Sequence, residues 1–99
     1  MLLIVGTVRV PPENLAEARP IMSDMVRQSR AEDGCLAYSY AEDLFDPGLI
    51  HVRELWRDTA ALDAHFASSH LAEWRAHWPE LGIGERRLKL YAVEEGRDV

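Results

Sequence analysis

"CLAYSYAEDLFDPGLIHVRELW", Cys35 to Trp56, is the stretch on which the fold turns. In its first half Leu36, Tyr38 and Tyr40 alternate with the small residues Cys35, Ala37, Ser39 and Ala41. In its second half Ile50, Val52, Glu54 and Trp56 alternate with His51, Arg53 and Leu55. A period of two is the signature of strands, whose successive side chains point to opposite faces. Between the halves "FDPG", Phe45 to Gly48, supplies turn chemistry, with Pro47 expected at a first central position. Two strands joined by so short a turn must lie antiparallel.

Helical patterns flank this hairpin. Upstream, Leu15, Ala18, Met22, Met25 and Ser29 recur at three- and four-residue spacing, one stripe of an amphipathic helix. Pro12 suits a first helical turn, Glu13 and Glu17 favour the positive end of the helix dipole, and Gly34 ends the run. Pro20, inside the helix, is expected to kink it or to split off its first turns. Ahead of it, Leu2 to Val10 is apolar and β-branched, a strand. Downstream, Asp58 or Thr59 can cap a helix whose apolar side carries Ala61, Leu62, His65 and Phe66. "SSHLAEWRAHWPELG" continues as a second helical piece ended by Pro79 and Gly82. "ERRLKLYAVE" alternates as a fourth strand, with Arg86, Arg87 and Lys89 as its solvated edge, and the tail is expected to fray.

The order is β-α-β-β-α-β. This is an α+β, ferredoxin-like arrangement, a four-stranded antiparallel sheet with helices on one face, in a single domain spanning residues 1–99. Leu2, Leu3, Ile4 and Val5 are apolar on both sides of their strand, whereas the helices can cover only one. The second face is expected to meet the same sheet of another copy, making a homodimer.

The 17 acidic residues against 11 Lys and Arg leave a net charge of −6, which disfavours nucleic acid and anionic membrane surfaces as partners. The one cysteine, Cys35, has no internal partner, and the apolar start "MLLIVGTVRV" lacks a basic flank. The expected location is the cytoplasm.

Chemistry concentrates in "ELWRDTAALDAHFASSHLAEW", Glu54 to Trp74, which holds two of three tryptophans and two of four histidines. If the strand face carrying Val52, Glu54 and Trp56 looks at the helices, a carboxylate and an indole line the space between the layers. His65, on the apolar side of its helix, then points into the same space, which would make a small-molecule pocket. A carboxylate there needs a partner or a raised pKa. Taken alone, Trp56 also reads as core filler and His65 as a structural, hydrogen-bonded histidine. His70, Trp74 and His77 form one helical stripe. His65 and His70 are five apart, off the spacing that places two ligands on one helix face, so no metal is expected. No nucleophile elbow, phosphate-binding glycine loop, or flavin or nicotinamide fingerprint is present, and no cofactor is expected.

The segment "EDGCLAYSYAED…FDPGLIHVRELWRDTAALDAHFASSHLAEW" resembles the antibiotic biosynthesis monooxygenase domain family. It shares the acidic-Gly-Cys-x-x-Tyr opening of the second strand, the Asp-Pro turn, the Glu-x-Trp strand end and the "AALDAHFASSH" helix. The resemblance implies a dimeric α+β barrel with a pocket between sheet and helices in each subunit. It implies a monooxygenase oxidising a phenolic or quinol-type small molecule with molecular oxygen, without metal, flavin or other prosthetic group. On this chain His65 would be the acid/base and Trp56 would line the cavity, as the catalytic pair. Tyr38, Val52, Glu54, Phe66, His70 and Trp74 are the candidate substrate contacts. The first strand, "IVGTVRV", lacks the Asn that the haem-degrading branch carries. Val52 stands where some quinone-forming relatives have a polar amide. Another branch isomerises a small phosphorylated metabolite and shares a helix like this one, and a third group has no known reaction and would only bind ligands.

Overall fold

A computed structural model describes residues 1–99. The strands are β1 (Leu2–Arg9), β2 (Cys35–Glu42), β3 (Leu49–Trp56) and β4 (Gly84–Ala92). The helices are α1 (Leu15–Arg30), α2 (Thr59–Phe66), α3 (Ser69–Ala76) and the short α4 (Trp78–Leu81), with a 3-10 turn at Pro12–Asn14. The strands lie in the order β2-β3-β1-β4, every neighbour antiparallel, so the chain has the ferredoxin-like fold its element order predicts. No helix is long and apolar enough to cross a membrane.

One sheet face carries the core. Ile4 and Val8 of β1, Tyr38 of β2, and Ile50, Val52 and Trp56 of β3 are buried against the α1 stripe, Leu15, Ala18, Met22 and Met25. Register follows from the two-residue period: Ile4 faces Glu54 and Tyr38 faces Glu54 from the other side, so the inward sets of three strands share one face. The opposite face sets Leu3 beside Leu55 and Tyr91, and Val5 beside Arg53 and Lys89. Leu3, Val5 and Leu55 remain only partly covered there.

Local chemistry departs from expectation in three places. α1 runs unbroken through Pro20; Ala16 and Pro20 both face solvent, where water can take the carbonyl that proline leaves without a donor. The hairpin turn closes with the Leu49 N–H donating to the Asp46 carbonyl at 3.1 Å, one residue later than the "FDPG" window, so Pro47 and the positive-φ Gly48 take its central positions. Pro79 lies in the first turn of α4 and starts that helix instead of ending α3; Gly82, left-handed at φ 68°, closes it.

Candidate active site

The site begins at the turn after α1. Gly34 adopts φ +82°, and a methyl added there would fall 2.5 Å from the Cβ of Ala61 on α2. Its carbonyl accepts the Arg57 N–H at 2.8 Å. This close approach presses the turn Ala31–Gly34 against α2 and delivers the Glu32 carboxylate to His65. On the other side Asp58 caps α2, accepting the Ala61 N–H at 2.9 Å, which sets the helix phase that turns His65 inward.

His65 is 1% exposed, held at Nδ1 and loosely approached at Nε2. Its Nδ1 is 3.1 Å from each oxygen of Glu32. Its Nε2 lies 3.5 Å from the Tyr38 hydroxyl and 3.8 Å from Oε1 of Glu54. The Trp56 indole N–H donates to that same Glu54 oxygen at 3.0 Å, and the Trp56 and His65 ring centroids are 4.6 Å apart. The inward face of β3 is therefore the one carrying Val52, Glu54 and Trp56, as the pocket reading requires.

Burial sets the protonation of this group. It lowers the pKa of His65, against the Glu32 carboxylate that pulls the other way, so the imidazole favours its neutral form. It raises Glu54, opposed chiefly by the Trp56 hydrogen bond, and pushes the Tyr38 phenol far above its ordinary value. A neutral histidine with Nδ1 fixed on a carboxylate has one nitrogen free to exchange a proton.

The proposed contacts divide into two groups. Tyr38, Val52, Glu54, Trp56, His65 and Trp74 are buried in the core, whereas Phe66 turns its ring half into solvent. Val52, Glu54, Trp56, His65 and Phe66 line none of five surface clefts of about 250 to 370 Å³. In the single chain this centre is packed shut. His70 and Trp74 line a cleft of about 290 Å³ between α1 and α3, together with Met25 and His77. A second cleft, about 370 Å³, runs between α1 and β2 past Tyr40, Arg19, Arg27 and Arg30. Its cations are already engaged: Arg19 pairs with Glu42, Arg27 with Asp24, and Arg30 donates to the Tyr38 carbonyl.

Sequence reasoning missed Glu32 and Tyr40. Glu32 follows the end of α1 and belongs to no periodic pattern; its role comes from a contact 33 residues away. Tyr40 shares its strand parity with Tyr38, stacks on it at 5.8 Å and meets Trp74 edge-on at 6.2 Å. Alternation could have paired these two tyrosines. The argument that His65 and His70 sit on different helix faces also fails, because the helix breaks. Ala67 and Ser68 separate α2 from α3, Ser68 caps the new helix, and His70 returns to the same Glu32 carboxylate.

The family model for antibiotic biosynthesis monooxygenases matches residues 1–77. The chain belongs to this family. It is 30% identical to sll1783 of Synechocystis over 94 residues, 95% of this chain and 64% of that protein, so it spans less than two thirds of that relative's length. It is 36% identical over 70 residues to Rv0793 of Mycobacterium tuberculosis, which carries a provisional monooxygenase name, covering 71% of this chain and 68% of that one. Among solved structures, a Deinococcus radiodurans protein provisionally described as an antibiotic biosynthesis monooxygenase superposes with TM-score 0.91 at 26% identity, covering 100% of this chain and 98% of its own. The Rv0793 structure superposes at TM-score 0.82 and 27% identity, with 98% of each chain covered.

Proposed function

We propose that this family member is a monooxygenase for a phenolic or quinol-type small molecule, working as a homodimer with no prosthetic group needed for turnover. The observation that carries the reading is the Glu32–His65–Tyr38/Glu54 array, a buried imidazole fixed at Nδ1 by Glu32 and only loosely approached at Nε2, by the Tyr38 hydroxyl at 3.5 Å and Glu54 at 3.8 Å. Nε2 takes the phenolic proton, Glu32 steadies the imidazolium that forms, and the electron-rich phenolate reacts with oxygen in an apolar enclosure. For an anthrone the ring CH₂ becomes C=O. The substrate supplies all four electrons that reduce O₂, one oxygen atom remaining in the product and the other leaving as water.

The substrate reaches this centre from the cleft between α1 and α3, whose roughly 290 Å³ is near the lower end for a small-molecule site. His70 and Trp74 form its inner wall, and Trp56 flanks the reacting ring once α2 and α3 yield outward. The paired arginines of the other cleft speak against a phosphorylated metabolite, which needs cations not already committed to carboxylates.

The test is oxygen uptake by chelator-treated protein against a panel of hydroquinones and anthrones. Stoichiometric uptake with quinone formation, lost in His65→Ala, is the expected result. Uptake by no member of the panel, with tight binding of several, would make the protein a ligand carrier and overturn the reading.

A further inference from the structure

We propose that Glu32, His65 and His70 form a binding site for a divalent transition ion of the zinc, cobalt and nickel class. Their ligand atoms lie within 4.8 Å of one another, although they come from three separate elements: the turn after α1, then α2, then α3. Two imidazoles and one carboxylate are a borderline donor set. It suits these ions and leaves Mg²⁺ and Ca²⁺, which want oxygen ligands, without a cage.

Two imidazole nitrogens from different helices converge on one carboxylate here. His65 Nδ1 lies 3.1 Å from each oxygen of Glu32. His70 Nε2 packs against Oε1 of the same carboxylate, out of hydrogen-bond alignment and with no hydrogen bond to any other group. An ion between the two rings and the carboxylate would engage His70 Nε2, His65 Nδ1 and Glu32 at once.

The surroundings match what ligating histidines require. The second nitrogen of His65 faces the Tyr38 hydroxyl at 3.5 Å and the Glu54 carboxylate at 3.8 Å. Glu54 in turn is held by the Trp56 N–H. Such outer partners orient a metal-bound imidazole. A way in exists as well: a surface hollow of about 370 Å³ is lined by Glu32 and His70 together with Asp33, Arg57, Ser68 and three alanines of α2. Three protein ligands would leave one position of a tetrahedral ion for water or a small anion.

The site goes beyond the oxidation reading and competes with it for His65. An ion on Nδ1 leaves the ring proton on Nε2, so the ion-loaded ring cannot accept a phenolic proton there, and the metal-free form is the one that would oxidise. The experiment therefore reads binding without substrate. Chelator-treated full-length protein is titrated with Zn²⁺ and Ni²⁺ by calorimetry, and with Co²⁺ by visible absorption. We expect one ion per chain, an intense tetrahedral cobalt spectrum, and no response to Mg²⁺. His70→Ala and, separately, Glu32→Gln should weaken Zn²⁺ binding by roughly tenfold to a hundredfold. His51→Ala, whose ring pairs with Asp43 in another part of the fold, should bind as the parent does. Circular dichroism establishes that each variant is folded. Absence of binding to the folded parent, or His70→Ala and Glu32→Gln both binding with parental affinity, would overturn the proposal.

Discussion

His65 and Glu54 sit side by side with pKa shifts of opposite sign from one cause, since burial disfavours whichever form is charged. His65→Ala should cut oxygen-dependent turnover by roughly a hundredfold or more, the scale of a lost general base, while the variant keeps its circular-dichroism spectrum. A folded variant with parental turnover would make the histidine structural. Glu54 carries a pH prediction. Its folded-state pKa lies above the unfolded one, so the native protein holds the proton more tightly than the unfolded chain. The penalty is absent below the unfolded carboxyl range and grows as pH rises above it. Glu54→Gln keeps an oxygen for the Trp56 N–H and removes the charge. In chelator, its Tm should match the parent near pH 4 and exceed it at pH 8. A constant gap across that range would assign the effect to packing instead.

At the scale of elements, two short devices assemble the site: the Gly34 turn and the break between α2 and α3. Gly34→Ala forces a side chain into a left-handed backbone, which costs about 1–2 kcal/mol, and sets its methyl against Ala61. The expected Tm loss is roughly 4–8 °C per kcal/mol for a domain of this size, with Zn²⁺ affinity falling alongside because Glu32 is displaced. Gly96→Ala, with open space around it, is the matched control and should change neither. Ser68→Ala removes the cap of α3 and should cost about 1 kcal/mol, read as a lowered urea midpoint with an unchanged slope. Most elements were legible in the sequence. The stripe Leu15, Ala18, Met22, Met25 and Ser29 is the buried set of α1, because amphipathic periodicity records which side a helix must hide. The second helical piece from Ser68 was legible too, and Ser68 caps it; what was not legible is that the break turns His70 back onto the carboxylate His65 meets.

For the whole molecule, the outer sheet face carries the prediction about assembly. Leu3, Leu55 and Tyr91 align across three strands there, and Leu44 and Phe45 stand 91% exposed at the hairpin end. A chain this small gains stability by covering such surface. Light scattering at micromolar concentration should give a dimer mass, and Leu3→Glu, which puts a charge between Leu55 and Tyr91, should shift it toward monomer without loss of helix signal. A parent that is monomeric and folded would remove the sheet-to-sheet assembly from the reading.

Strand and helix placement and antiparallel topology follow from the chain itself, because each rests on a local period of two or 3.6 residues. Family resemblance, too, is carried by contiguous motifs. Tyr38, Glu54, Trp56 and His65 could therefore be named before any coordinates. What the tertiary structure alone decided is which face of β3 turns inward, that Glu32 meets His65 and His70, and that the centre is closed to solvent instead of lining an open pocket. Those contacts join residues from separate elements through the approach of two backbones at Gly34 and Ala61. No local period encodes such an approach, since it depends on how the layers pack.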